Sequence, residues 1–171
     1  SILKFTADPN DTLPAITFWL MGSFASSGSA QITFILLPFL LGTSLLYLFR
    51  WKLNILSLGD DEAKIAGVHP KLVKSIVLGA ATVLIASAVT VSGMIGWVGL
   101  VIPHATRKII GSNHGYVLPL SSVFGALFML LSDTFARTIG FSEIPIGIIT
   151  SLTGAPLFAL LFLFKDASVH E

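Results

Sequence analysis

The sequence predicts an all-α fold: a polytopic membrane helix bundle with about five transmembrane helices, a short cytoplasmic helix and a short outer interfacial helix. Of its 171 residues, 54% are hydrophobic and 11% are charged, whereas soluble domains contain roughly 25% charged residues. The mean hydropathy is +0.88. The charged residues occur in clusters, and the apolar runs between them are about as long as the 20 residues that a spanning helix requires.

Three apolar runs each match the length of a single membrane span. They cover residues 30–49, 116–137 and 144–164. A fourth run, residues 75–106, contains no Lys, Arg, Asp or Glu over 32 residues, which is too long for one untilted crossing. Because Ser92 and Gly93 interrupt this run, we expect a full span over residues 72–91 and a shorter one over 94–110. The sequence therefore predicts five spans within one domain, residues 1–171.

The distribution of Lys and Arg predicts the orientation of these spans. With five spans and Asp60 in the cytoplasm, eight of the ten basic residues lie inside, and only Lys4 and Arg137 lie outside. Four spans would leave six inside and four outside. We therefore expect an outer N-terminal segment over residues 1–29 and a cytoplasmic C-terminus. The outer segment contains a turn-rich cluster at 7–11 and a short helix over 14–21.

A charged segment, residues 53–70, separates the first two predicted spans. Asp60, Asp61 and Glu62 are adjacent, although the whole chain contains only nine acidic residues. Negative charge stabilises the first turn of a helix, so these three residues indicate a helix start. We expect Asn54 or Ser57 to cap the start.

Gly67 and Pro70 are expected to end this helix after one or two turns. Asp61, Lys64 and Ile65 would then share a face, because residues three and four apart are neighbours on a helix. Ile65, Ala66 and Val68 make the segment more apolar than a solvated loop needs. The residues leave two interpretations open: a plain connecting loop, or a helix that docks into a groove of a partner protein.

Small residues recur in two of the predicted spans, where they would let helix backbones approach closely. These are Gly93, Gly96 and Gly99 in one span and Gly147, Ser151 and Gly154 in the last span. They are compatible with ordinary packing inside one subunit and also with a subunit interface.

Several other site types find no support in the sequence. The chain has no cysteine and a net charge of +1, so it offers neither a thiolate metal site nor the basic surface that nucleic acid requires. His104 has no second metal-ligand residue nearby, and we expect it to make a structural hydrogen bond. The sequence G-x-x-x-x-G-K-[ST] does not occur, so these residues do not form an ATPase site.

Five stretches, taken together and in order, resemble the permease subunits of binding-protein-dependent ABC importers for iron-siderophore, haem and cobalamin, the FecCD-type family. The stretches are FWLMGSF at 18–24, LNILSLGDDEAKIAGV at 53–68, GMIGWVGLVIPHATRKIIG at 93–111, SDTFART at 132–138 and EIPIGIITSLTGAPLF at 143–158. The resemblance implies a ten-span subunit, of which this chain is similar to the C-terminal half, spans six to ten.

The resemblance also implies partners for two places in the chain. The charged segment is similar to the coupling helix of ABC permeases, which contacts the ATP-binding cassette subunit. The residues concerned would be Asp60, Asp61, Glu62, Ala63, Ile65 and Gly67. Arg137 is similar to outer arginines that bind glutamates of a periplasmic or lipid-anchored substrate-binding protein. An intrahelical pair with Asp133 is the alternative role for Arg137, and Glu143 is a competitor for it.

The expected function is that of a multi-pass permease subunit in a bacterial cytoplasmic (inner) membrane. It would pass an iron-chelate, haem or cobalamin-type ligand, with ATP bound and hydrolysed by the separate subunit and no cofactor of its own. A second permease copy or homologue and membrane lipid are the other expected partners. The alternative is a truncated, non-transporting assembly or anchor protein. Ion-coupled transport and intramembrane catalysis are disfavoured because the span centres lack charged residues.

Overall fold

The computed structural model describes residues 12–24, 28–138 and 144–166, and every regular element in these ranges is a helix. The helices, in chain order, are α1 (Thr12–Met21), α2 (Ser29–Leu48), α3 (Arg50–Leu56), α4 (Asp60–Ile65), α5 (Pro70–Ser92), α6 (Val98–Ile110), α7 (His114–Thr138) and α8 (Ile146–Asp166). The all-α prediction is therefore confirmed. The turn-rich cluster at 7–11 and Glu143 lie outside the described residues.

Within the part of the chain that the structure describes, three helices are long and apolar enough to cross a membrane: α2 with 20 residues, α5 with 23 and α7 with 25. The two remaining predicted spans correspond to α6 and α8, with 13 and 21 residues. At 1.5 Å per residue α6 is about 20 Å long, which is shorter than the roughly 30 Å hydrocarbon core. The sequence predicted this span to be a short one.

The break between α5 and α6 lies where Gly93 indicated it, but α6 begins at Val98 rather than at residue 94. Gly93 and Trp97 both have a positive φ, 70° and 69°. A left-handed residue cannot continue a right-handed helix, so residues 93–97 form a non-helical connection between the two helices.

The chain divides into two compact units. Among the described residues, the first unit comprises residues 12–24, 89–101, 126–138 and 144–166, and the second comprises residues 28–88 and 102–125. In the first unit, the end of α1 and the residues just after it contact the end of α5 and the start of α8. The Ser23 N–H donates to Ser92 O at 3.0 Å, and the Trp19 indole N–H donates to Thr90 O at 3.4 Å.

The second unit contains the charged segment together with α2 and α3. A Cβ added to Gly42 of α2 would overlap the Leu84 side chain, so α2 and α5 approach closely at this glycine. Just after α2, the guanidinium of Arg50 lies 3.8 Å from the centroid of the Tyr47 ring. The outward faces of the long helices are apolar: Leu37 and Leu48 of α2 are largely exposed. Such faces suit contact with lipid tails or with further transmembrane helices.

Candidate functional site

The charged segment contains the end of α3 and the whole of α4, joined by a turn. Gly59 is the N-cap of α4, and its φ of 138° lies in a region that L side chains rarely adopt. The expectation that Asn54 or Ser57 caps this helix is therefore wrong. Asn54 lies inside α3, and Ser57 is the residue that ends α3. As predicted, Asp60, Asp61 and Glu62 occupy the first turn of α4, where the helix dipole favours negative charge.

The end of α4 is a Schellman motif centred on Gly67, as the glycine indicated. Gly67 has a φ of 75°. Its N–H donates to Lys64 O at 3.0 Å, and the Val68 N–H donates to Ala63 O at 2.8 Å. This pair of hydrogen bonds defines the motif and satisfies carbonyls that would otherwise lack partners. Pro70 then begins α5, a position that suits its fixed φ.

One side of α4 is buried in the second unit. Ala63 is 0% exposed and forms an apolar cluster with Val68 and Val73. Partly buried residues surround the cluster: Phe49, Ile55, Leu56 and Val77. Ala63 and Val68 therefore fix α4 to its own protein, and neither side chain is accessible to a partner. This differs from the sequence-based expectation, which placed Ala63 among the contact residues and Val68 on the apolar docking surface.

The opposite side of α4 is exposed and carries a large apolar side chain. Ile65 is 88% exposed, and Leu58 in the preceding turn is 72% exposed. Residues two apart on a helix point in directions that differ by about 200°, so a buried Ala63 requires an outward Ile65. The sequence predicted Ile65 as a contact residue. Leu58 was not predicted as a contact residue. It lies between two helix signals, where no periodic pattern indicates which side chains are exposed.

Two of the three acidic side chains of α4 already have a lysine partner. Asp60 accepts from Lys74 of α5 at 2.7 and 2.8 Å, and Asp61 accepts from Lys64 at 2.8 Å. No ion pair within the described residues includes Glu62. Both ion pairs are more than half exposed, and such pairs contribute little to stability. The exposed side of α4 therefore combines an apolar centre with carboxylates.

A hydrogen-bond network joins α3 to the start of α7, and the part that Asn54 plays in it was not predicted. The Asn54 Oδ1 accepts the backbone N–H of His114 at 2.8 Å and also lies 2.8 Å from His114 Nδ1. The Asn54 amide nitrogen donates to Asn113 Oδ1 at 2.9 Å. Asn113 Oδ1 in turn accepts the Gly115 N–H at 2.8 Å. An asparagine before a helix is a known capping signal, so only the role of Asn113 could have been predicted.

Arg137, the predicted outer contact, lies at the end of α7 in the first unit. Its Nε donates to Asp133 Oδ2 at 2.9 Å, which is the intrahelical pair that the sequence offered as an alternative. Arg137 also makes a further interaction. A small concavity beside it is lined by Ser23, Phe24, Ala136, Ile144 and Ile146. Glu143, the predicted competitor for Arg137, lies outside the described residues.

The six predicted packing residues fall into two groups of three. A Cβ on Gly93 would collide with the Trp19 carbonyl oxygen, one on Gly147 with the Met21 carbonyl oxygen, and one on Gly154 with the Trp97 side chain. These three glycines therefore serve close packing within the first unit. Gly96, Gly99 and Ser151 are exposed. A Cβ on Gly96 or Gly99 would meet nothing within 4 Å.

The described residues hold no group of three or more His, Asp or Glu side chains that could bind a metal ion. His104 is exposed on α6 and has an interaction partner. The charged segment, the surroundings of Arg137 and the exposed small residues Gly96, Gly99 and Ser151 are the candidate places for contacts with partner proteins.

Comparison with known proteins identifies the family. The sequence pattern of the FecCD transport family matches residues 1–164. The molybdate import system permease protein of Haemophilus influenzae is 47% identical, over 100% of this chain and 51% of its own length. The hemin transport system permease protein of Yersinia pestis is 40% identical, over 95% of this chain and 48% of its own length. The chain thus spans about half the length of these relatives.

A solved structure shows the same fold. It is an inward-facing conformation of a metal-chelate type ABC transporter, with a TM-score of 0.90 and 46% identity. The match covers 96% of this chain and 53% of that one. The agreement in sequence and structure is continuous along the chain, so the chain belongs to the FecCD transport family.

Proposed function

We propose that this chain is part of the membrane-spanning permease of an ABC importer in a bacterial cytoplasmic membrane. The permease passes a metal chelate or a related ligand such as haem, cobalamin or molybdate, and a separate subunit binds and hydrolyses ATP. The family membership supports this proposal. The observation that carries it is the two-sided α4, which is buried through Ala63 and presents Ile65 almost fully to its surroundings.

The exposed side of α4 is suited to a small, specific docking contact. Full burial of an isoleucine side chain contributes about 1.5–3 kcal/mol, and a few such anchors dominate most interfaces. The partner surface would offer an apolar recess for Ile65, with Leu58 at its edge. A basic side chain on the partner would pair with Glu62 and fix the orientation of the docked helix.

The buried side of α4 explains how such a contact could move the permease. A connecting loop would deform when it is pushed. The Ala63 and Val68 cluster and the Gly67 motif instead hold α4 as one body against α5. Closure of the ATP-binding subunit would therefore displace the charged segment as a unit. The proposed contact, or the helix geometry that supports it, depends on Asp60, Asp61, Glu62, Ile65 and Gly67. Ala63 contributes by packing in the buried cluster behind the contact.

A substrate-binding protein on the outer side is the second proposed partner. Its carboxylates would bind Arg137, which is half-exposed. Since Asp133 already accepts from Arg137, an incoming glutamate must share or replace that carboxylate. The proposed contact is therefore weaker than one made with a fully available arginine.

A second permease copy or homologue is the third proposed partner. Gly96, Gly99 and Ser151 offer small, exposed residues against which a helix could pack closely. A concavity of about 570 Å³ in the first unit is lined by Gly96 and Ser151 and otherwise mainly by apolar side chains. We further propose that this concavity forms part of the ligand path, because small and apolar lining residues offer few polar groups that would hold a bulky ligand in place.

The proposal is tested by binding of the ATP-binding subunit to the complete permease that contains these residues. Ile65→Ala should raise the Kd of this binding about ten- to a hundredfold, because most of the buried side chain is lost. Ile109→Ala is the matched control, since Ile109 is a similarly exposed isoleucine of the same unit. Equal affinity of the unmodified permease and the Ile65→Ala variant would contradict the docking proposal. Binding without ligand uptake would favour the anchor or assembly function instead.

A further inference from the structure

Asn54 links the charged segment to a helix that is distant in sequence. Its side chain lies in α3, and its partners Asn113 and His114 lie 59 and 60 residues further along the chain. Both functional ends of the amide are used. The oxygen accepts from His114, while the nitrogen donates to Asn113. The contact therefore requires an amide side chain, because neither a pure donor nor a pure acceptor reproduces it.

The network satisfies the start of α7. The first N–H groups of a helix have no partner within the helix. Here the His114 N–H donates to Asn54 and the Gly115 N–H donates to Asn113. The first turn of α7 thus uses a side chain from α3 as part of its cap. A displacement of α3 by even one ångström would lengthen these hydrogen bonds beyond their usual range, unless α7 moves with it.

A second link attaches the same segment to a different helix. Asp60 of α4 binds Lys74 of α5 through both carboxylate oxygens. That ion pair is more than half exposed, so water and salt compete with it. The Asn54 network is partly buried at His114. It is therefore the firmer of the two links.

We propose that Asn54 is a positioning residue for energy coupling, which transmits displacement of the charged segment to α7. This inference rests on the proposed function, since it needs an ATP-binding subunit that moves the segment. In this role Asn54 acts through α7 and not on ATP or the ligand. Its role is to make α7 follow α3, so that ATP hydrolysis and ligand passage occur in a fixed ratio.

The test is made in the complete, assembled transporter with Asn54→Ala and Asn54→Asp. Asn54→Ala should leave the affinity for the ATP-binding subunit within about twofold. It should lower the number of ligand molecules transported per ATP about fivefold or more. Asn54→Asp keeps the acceptor for His114 but places an acceptor opposite Asn113 Oδ1, so we expect an intermediate ratio. Ser57→Ala is the control, because the Ser57 hydroxyl bonds, among the described residues, only to the carbonyl of Asn54 in its own helix turn.

The outcomes separate this inference from the proposed function. A normal transport ratio in Asn54→Ala would overturn the role of Asn54 while the docking proposal stands. A parallel loss of assembly and activity, with no change in the ratio, would show that Asn54 is merely structural and would also overturn it. If Asn54→Ala does not fold, the ratio of Asn54→Asp decides, and an unchanged ratio refutes the proposal. Failure of the unmodified permease to bind any ATP-binding subunit would refute both.

Discussion

Gly67 is the position where a single substitution should most cleanly separate assembly from coupling. Its φ of 75° is the left-handed conformation that ends α4, and a Cβ there would meet nothing within 4 Å. A side chain therefore fits into the available space, and the cost lies in the backbone alone. For an ordinary L residue this conformation costs roughly 1–2 kcal/mol, and Asp, which tolerates it better, is at the lower end of this range. A cost of about 1 kcal/mol shifts the local equilibrium towards an opened helix end about fivefold.

Gly67→Asp adds a second effect, because a negative charge at a helix C-terminus is unfavourable by about 0.3–1 kcal/mol. Together these effects loosen the Schellman motif and release Val68 from Ala63. We expect Gly67→Asp to uncouple transport from ATP hydrolysis in the complete permease, with membrane insertion and binding-protein docking largely retained. ATPase stimulation, ligand uptake and binding-protein affinity should be measured separately.

Two matched variants isolate the cause. Gly67→Asn has the same backbone cost as Gly67→Asp but adds no charge, so it should retain more of the coupling than Gly67→Asp does. Gly79→Ala, in the helical part of α5, introduces a Cβ into equally open space without a positive φ and should be neutral. If Gly67→Asp assembles with the ATPase and transports normally, the coupling assignment is wrong and residues 53–70 are only a connecting loop.

Three further predictions concern other parts of the chain. Arg137→Glu should weaken the substrate-binding protein by charge reversal, and the loss of affinity should grow at low ionic strength, where screening is weaker; a loss independent of salt would contradict this. With no native cysteine in the chain, Ser57→Cys should label from the cytoplasm and Ser142→Cys from outside. The reverse pattern, or both on one side, would remove the predicted topology. Gly93→Ala should destabilise the protein by more than about 1 kcal/mol in thermal unfolding, because the positive φ and the Trp19 carbonyl both oppose a Cβ, while Gly99→Ala should have little effect. Equal stability of the two variants would refute the packing role of Gly93.

Much of the fold could be predicted because membrane spans leave a strong signal in sequence. The apolar runs gave the positions of α2, α5, α7 and α8, and Gly93 indicated the break after α5. The exact start of α6 could not be predicted, since it depends on the left-handed conformation of Trp97, a residue type that seldom adopts it.

The charged segment was harder to interpret than the spans. With only six residues, α4 is too short for periodicity to tell which side is buried, so Ala63 and Val68 were placed on the wrong surface. The cap at Gly59 depends on backbone conformation rather than on a side-chain oxygen. The Asn54 network joins residues about 60 positions apart, and no local pattern encodes such a contact.

Site-directed cross-linking from α4 to the ATP-binding subunit tests the central claim most directly. In a complete permease otherwise free of cysteine, Ile65→Cys should form a cross-link with the ATP-binding subunit, because Ile65 is 88% exposed on the proposed contact surface. Ala63→Cys, two residues away but fully buried, should remain unreactive. A cross-link from Ile65→Cys alone is the result that the docking proposal predicts. The absence of any cross-link from Ile65→Cys in an assembled, ATP-hydrolysing transporter would contradict it.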